Sequence, residues 1–318
     1  MAKNRIMFRA SSVEQKESIQ GKMQLGMMEY AEHLIIHLKQ AGKERVVEKY
    51  ATSIRSFKRY LGEKDIRLIE VNSLLMQGYE SYLKTEGLCR NTVSFYMRNL
   101  RAIYNHAVEE DLILSTSPFK HVYTGIDKTV KRAVSLEILQ RIKREDLSSC
   151  PRLDYARDLF LFSFYTRGMS FIDMAYLRKN DLRNGILCYR RQKTAQQLCI
   201  KWELPMQDIV NKYQVSHSSF LLPILSDASL NLQIQYKRAY KRLHKSLKEL
   251  GERLCLPIPL TTYVARHTWA SLARSQHVPI AIISEALGHD SESTTRIYLS
   301  SLDTSEVDKV NSLIMDSL

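Results

Sequence analysis

The sequence predicts a mainly α-helical protein with one small β-sheet. Two observations support that reading. Apolar residues recur at three- and four-residue steps from about Met23 to Leu112, and again from Leu230 to the end. Between these regions one stretch, NGILCYRRQKTAQQLCIKWELP, switches to a two-residue period. A chain of 318 residues is long enough for two domains, and the helical pattern lapses between Ile113 and Arg132.

Each element follows in order. MQLGMMEYAEHLIIHLKQAG has helical spacing and stops at Gly42. VVEKYATSIRSFKRYLGEK repeats the period and stops at Gly62. SLLMQGYESYLKTEGL is a third helix, with Gly87 near its end. Asn91 is the expected N-cap of TVSFYMRNLRAIYNHAVEEDL, since its side chain can accept a hydrogen bond from a free amide of the first turn. Residues 21–112 thus form a compact four-helix domain, preceded by a short segment, residues 1–20. Residues 113–132 hold Pro118, Gly125 and several lysines without a clean period, which predicts a basic linker.

The second domain spans residues 133–318 and opens with Ser135 as a cap. A long apolar helix follows in DYARDLFLFSFYT, then another in RGMSFIDMAYLRKNDL. The two-residue stretch reads as a hairpin around a polar turn at Thr194 to Gln197. The later helices break at Leu256–Pro259 and at Gly288–Ser291. The last segment, TSEVDKVNSLIMDSL, is a short amphipathic helix whose apolar stripe either docks on a neighbouring protomer or folds back on its own domain.

Charge narrows the partner. Lys and Arg number 47 against 34 Asp and Glu, a net +13 that calls for a polyanionic partner or an acidic surface, with DNA or RNA the commonest candidate. No apolar run approaches the roughly 20 residues that span a bilayer, and the N-terminus lacks a signal-peptide core. These features predict a cytoplasmic protein. The five cysteines, Cys89, Cys150, Cys188, Cys199 and Cys255, include no C-x-x-C pair, so they are expected to be reduced and mostly buried. In the first domain Arg55, Lys58 and Arg59 share one helix. Arg90, Arg98 and Arg101 lie on or beside another, near Asn91 and Thr92. Charge next to short polar donors is what contact with a phosphate backbone requires.

In the second domain five places set a reactive side chain beside a structural break: Arg167, Lys193, Arg266 with His267, His289, and Tyr298. Within this domain no His-x-x-x-His pair, metal-binding carboxylate pair or glycine-rich phosphate loop accompanies them. Cations on separate elements, a histidine and a tyrosine suit phosphoryl transfer without a metal. Arginines would neutralise the charge that builds in the transition state, and the phenol would attack.

The segment ARHTWASLARSQHVPIAIISEALGHDSESTTRIYLSSL resembles the C-terminal signature of the tyrosine recombinases, the phage-integrase family. That signature has an Arg-His pair, a helix, Leu-Gly-His, and a Thr-Thr-x-x-Tyr ending. Here these are Arg266-His267, Leu287-Gly288-His289, and Thr294-Thr295 before Tyr298. The spacings agree too: 23 residues from Arg266 to His289 and nine more to Tyr298. The four-helix domain resembles the family's SAM-like core-binding domain. The hairpin with Gln192-Lys193-Thr194 resembles the one that bears its catalytic lysine.

The resemblance implies a tyrosine-recombinase catalytic domain and a role for each residue. Tyr298 would attack the scissile phosphate, leaving a 3′-phosphotyrosine and a free 5′ hydroxyl. Arg266 and Arg167 would clamp the phosphate, Lys193 would protonate the departing oxygen, and His289 would hydrogen-bond the phosphate. The covalent bond stores the energy, so neither cofactor, ATP nor metal is implied. The implied partners are double-stranded recombination sites, held by a tetramer on two sites in the bacterial nucleoid. The outcome would be integration, excision or inversion.

Two positions depart from the family pattern. Tyr263 stands where a histidine three residues before the second arginine is usual. Tyrosine can hydrogen-bond a phosphate oxygen but is no imidazole acid or base near neutral pH. The first arginine normally sits in a Thr-Gly-x-Arg motif, and counting back from Asp173 puts Ser170 there. Arg167 is the cation of that loop, and Arg191, beside Lys193, is the reserve. Arg-Gly-Met-Ser-Phe with Tyr-x-x-Arg-His resembles the integrase-like recombinases of the Bacteroides group. These departures leave a rival reading: a DNA-binding or regulatory protein that keeps the scaffold and cuts nothing. A topoisomerase-like enzyme that relaxes DNA without exchanging partners is a second.

Overall fold

The computed structural model describes residues 25–127, 132–214, 216–226, 231–299, 312 and 314–316. The predicted segment 1–20 and nearly all of the predicted C-terminal helix lie outside them. The chain divides into two compact units between Thr129 and Val130. Among the described residues no helix is long and apolar enough to cross a membrane.

The first unit contains α1 (Met27–Gln40), α2 (Glu44–Tyr60), α3 (Ser73–Thr85) and α4 (Arg90–Glu109). Their apolar faces meet in a core that fully buries Phe57, Met76, Tyr79, Met97, Leu100 and Tyr104. Phe57 and Tyr79 pack edge to face with ring centroids 4.9 Å apart. Asp65 accepts from the Met28 amide at 2.9 Å and the Glu29 amide at 3.2 Å, so a carboxylate from another segment satisfies the open end of α1.

Two sequence expectations change here. Cys89, not Asn91, is the N-cap of α4, and it makes no side-chain cap bond. Asn91 lies inside the first turn. Its side chain instead pairs with the backbone of Asp127, donating at 3.0 Å and accepting at 2.8 Å. The stretch read as a linker is also largely packed. Ile113, Phe119 and Val122 join the core of the first unit. The Tyr123 amide donates to Glu80 at 3.0 Å, and Arg101 donates to Thr124 at 3.2 Å. Three apolar residues without a period gave no local signal for this, because tertiary contact decides it.

The second unit begins with α5 (Leu136–Arg144), where Ser135 accepts from the Ile138 amide at 3.3 Å as its expected cap role requires. Next come α6 (Pro151–Tyr165) and the short α7 (Phe171–Tyr176), well under half the length that its sequence pattern suggests. A three-stranded antiparallel sheet follows: β1 (Leu182–Arg183), β2 (Ile186–Arg190) and β3 (Gln197–Lys201). The hairpin was legible; β1, two residues long, was not. Leu187, Tyr189 and Ile200 turn inward while Ile186 and Arg190 face out, the two-residue alternation expected of a sheet with one covered face. The unit then continues with α8 (Leu204–Lys212), α9 (Leu232–Arg253), α10 (Thr262–Ser275), α11 (Ile280–Leu287) and α12 (Glu292–Leu299). Helix α6 lies at the centre and buries Leu159, Phe160, Leu161 and Phe162. A smaller core of Ala270, Ile283, Leu287 and Leu299 ties α10, α11 and α12 together.

The cysteines also depart from expectation. Cys188 and Cys199 are partners in the β2–β3 register, with Cα atoms 4.2 Å apart, and are joined by a disulfide. Cys89 and Cys255 are exposed, and Cys150 is half-buried. Pairing follows from the hairpin: once its turn is centred near Thr194, positions 188 and 199 fall opposite each other on the outer face.

Candidate active site

A cluster of cations gathers in the second unit where α10, the α11–α12 junction, the loop after α6 and the hairpin converge. Arg266 lies on α10 with only 7% of its surface exposed. A buried guanidinium must have its donors satisfied. Arg266 Nη1 donates to the Gly168 carbonyl at 3.0 Å, and Nη2 donates to the Leu287 carbonyl at 2.5 Å. Nη2 also approaches His289 Nε2 at 3.2 Å. The guanidinium therefore bridges the loop after α6 and the end of α11.

Gly168 makes this approach possible. Its φ is +73°, and a Cβ there would lie 2.6 Å from the Arg266 Cα. Its neighbour Arg167 also has a positive φ, +59°, which costs an L-residue about 1 to 2 kcal/mol. Arg167 is half-buried, and its charge is felt at the Tyr189 phenol together with those of Arg191 and Arg266.

Arg191, the reserve in the sequence, sits closer to the centre. It is 9% exposed. Its Nη1 donates to the Gly288 carbonyl, and its Nε lies 4.0 Å from Asp173 Oδ2. Gly288 closes α11 in the left-handed conformation, and a Cβ on it would meet Arg191 Cδ at 2.8 Å. Asp173 is 4% exposed and joins α7 to the hairpin. It accepts from the Ser170 hydroxyl at 2.6 Å and from the Gln192 amide at 2.7 Å, beside its ion pair with Arg191. Ser170, which stands at the family's arginine position, caps α7 by accepting from the Asp173 amide at 3.4 Å. The sequence placed Asp173 as the acid of the motif, but its bonds to the hairpin could not be read from spacing.

His289 follows Gly288 directly. Burial, then the charges of Arg266, Arg191 and Lys193, holds its pKa down at about 4, so the ring is neutral at pH 7. Its Nδ1 lies 2.7 Å from Thr295 Oγ1, and Thr295 is fully buried on α12. Lys193 is exposed in the hairpin turn, and its charge reaches the histidine. Tyr263, in the first turn of α10, is 58% exposed, with its ring centroid 6.0 Å from that of His267. Tyr298 belongs to α12, three residues past Thr295; its side chain lies outside the described residues.

The DNA-contact residues predicted on the first unit divide by environment. Arg55 and Arg59 are exposed on α2, and Lys58 lies 3.8 Å from Glu63. Arg90 stacks over Tyr123 at 4.0 Å and lies 3.6 Å from Asp127. Thr92 meets the Cys89 thiol at 3.1 Å. Arg98 donates weakly to the Ser94 carbonyl at 3.4 Å, while Asn91 and Arg101 hold the 123–127 segment.

The phage integrase SAM-like domain matches residues 27–141, and the phage integrase family matches residues 140–305. Fold and site together define a tyrosine-type, site-specific recombinase. The second match alone spans more than half of the sequence, so the chain belongs to the phage integrase family. Among its relatives is "Tyrosine recombinase XerC" of Leptospira interrogans, 21% identical over 260 residues, which are 81% of this chain and 83% of that protein. "Tyrosine recombinase XerA" of Thermococcus kodakarensis is 24% identical over 226 residues, 69% of this chain and 73% of the relative. Among solved structures, a lambda integrase dimer bound to a core site superposes with a TM-score of 0.68 at 15% identity, covering 90% of this chain and 80% of that one. XerH bound to a palindromic difH substrate gives 0.65 at 17% identity, covering 85% and 80%. At those identities the structures establish the fold.

Proposed function

We propose that the chain cuts and rejoins DNA strands at specific sites through Tyr298. The phenol oxygen attacks the scissile phosphorus, the bond to the 5′ oxygen breaks, and a 3′-phosphotyrosine remains. Lys193 gives its proton to the departing oxygen, and the phenol's proton passes to solvent. A phenol's usual pKa of about 10 means that attack near neutral pH needs cations at hand or a proton acceptor. A 5′ hydroxyl from another strand reverses the step, which keeps the energy of the broken bond within the covalent intermediate.

The observation that carries this reading is the convergence of Arg266, Arg191 and His289 around the Gly288 turn. Buried guanidinium groups beside a neutral imidazole form a preorganised cradle for a phosphate. Arg266 supplies one side of the clamp. Support for Arg191 as the other is its contact with Gly288, and its charge is among the strongest acting on His289. Arg167, expected in that role, would lie at the rim. Tyr263 is exposed and suited to a hydrogen bond with a nonbridging oxygen.

Unit by unit, residues 21–112 would grip the duplex through Arg55, Lys58, Arg59, Arg90, Thr92, Arg98 and Arg101. The segment 113–132 would join them to the catalytic residues 133–318. One solved structure of similar fold is a lambda integrase tetramer bound to a Holliday junction, and we assign this chain the same stoichiometry on two sites. Its place is with the nucleoid in a bacterial cytoplasm. Transposon integrases among the similar folds favour a mobile element as its context.

The test is a nicked duplex carrying the site, from which the cleaved fragment diffuses away. Wild-type protein should be trapped as a covalent protein–DNA adduct, and Tyr298→Phe should form none. Arg191→Ala should suppress the adduct more than Arg167→Ala, by about 100-fold for a lost transition-state donor. Absence of an adduct with wild-type protein would return the chain to the binding-only class.

A further inference from the structure

Thr295 touches His289 and lies outside the group of residues assigned to the chemistry above. Two contacts bear on the protonation of the ring. An arginine N–H only donates, so His289 Nε2, at 3.2 Å from Arg266 Nη2, acts as an acceptor there. The ring is neutral and so carries one hydrogen, which must be on Nδ1. Nδ1 lies 2.7 Å from Thr295 Oγ1, and the hydroxyl accepts that hydrogen. In this tautomer His289 offers Arg266 a lone pair. The same lone pair would repel a phosphate oxygen, which needs a donor.

A hydroxyl can both donate and accept without moving its oxygen. We infer that Thr295 is a positioning residue that lets His289 exchange tautomers when a phosphate enters the site. The phosphate draws the Arg266 donors onto its own oxygens. Thr295 then rotates its hydrogen and donates to Nδ1, and Nε2–H donates to a nonbridging oxygen. One proton leaves Nδ1 and one reaches Nε2 through water. The ring stays neutral, and no other bond changes. Thr295 is fully buried, so its hydroxyl is shielded from bulk solvent. It also stands three residues before Tyr298 on α12, a spacing that puts both on neighbouring positions of one helix face. The ring's state is thereby tied to the seating of the helix that carries the nucleophile.

This inference rests on the recombinase reading, and the experiment separates the two. Full-length Tyr298→Phe protein labelled with 15N-histidine is observed by NMR, free and bound to a duplex cut from the DNA flanking the coding region. The His289 resonances are assigned from a His289→Gln spectrum. The free protein should show hydrogen on Nδ1, and the complex should show it on Nε2. The same tautomer in both states would overturn the inference, while adduct formation by wild-type protein would leave the recombinase reading intact. In the adduct assay Thr295→Val should slow trapping by about tenfold, the cost of one lost buried hydrogen bond. Thr295→Ser should restore it to within about threefold, since the hydroxyl remains. Equal rates for Val and wild type would also overturn the inference. Should Thr295→Val melt at room temperature, the Ser variant and the NMR comparison decide alone.

Discussion

The two units carry positive charge in different ways. On α2 of the first unit, Arg55 and Arg59 project from an exposed face. In the second unit, Arg191 and Arg266 are nearly enclosed, and backbone carbonyls of Gly288, Gly168 and Leu287 hold their heads. An exposed arginine keeps its water and tracks a phosphate backbone at any register. A buried one has exchanged water for fixed acceptors, so its direction is set before the ligand arrives. The first arrangement gives affinity that salt weakens; the second gives geometry. The contrast explains why one protein needs both: long-range hold and local aim are supplied by different environments of the same side chain.

The sharpest way to break the comparison is at the glycine that lets Arg266 settle. Gly168→Ala should cost about 2 to 5 kcal/mol, from a positive φ and a backbone clash, as measured by chemical denaturation of the full chain. Gly62 in the first unit has φ +65° but nothing within 4 Å of a Cβ. Gly62→Ala should therefore lose only about 1 kcal/mol. Equal losses would mean that close packing around Arg266 contributes little.

A smaller effect concerns acid. His289 is held to about pKa 4, against 6.5 ordinarily. Between those values the unfolded chain binds a proton that the folded one refuses. Stability is thus complete above pH 6.5 and declines as pH falls toward 4. Thermal melts across that window should show the decline, and His289→Gln should flatten it. A slope unchanged by the substitution would move the cause to other groups.

The smallest effect belongs to the exposed face. Arg59→Ala should leave the melting temperature nearly unchanged and weaken binding to any DNA sequence. The slope of log affinity against log salt should fall by about one, read by fluorescence anisotropy over a salt series. A sequence-selective loss would make Arg59 a reader of bases.

Most helices were legible because burial on one side imposes a period, as in VVEKYATSIRSFKRYLGEK. The candidate list could be drawn because Arg266, His289 and Tyr298 lie within one continuous stretch with fixed spacing, and the structure brings Arg266 and His289 together. What escaped was settled by contacts far apart in sequence. Asn91 has the composition of a cap, but Asp127, 36 residues away, claims its side chain. The Cys188–Cys199 pair needed the strand register, which composition does not state. Arg191 was named only as the reserve, for its place beside Lys193, and its contact with Gly288 across 97 residues of sequence could not be read from that neighbourhood. Thr295 looked like part of a polar run until its hydroxyl was found beside an imidazole.

Asp173 has a practical bearing on chimeras. It fastens α7 and the hairpin arm to one another through Ser170, Gln192 and Arg191. A graft that imports the arm from a cousin without the matching α7 would sever that clasp and leave a carboxylate stranded in the interior. Crossovers intended to reassign target preference belong outside the 170–192 interval, where both halves of the fastening travel together.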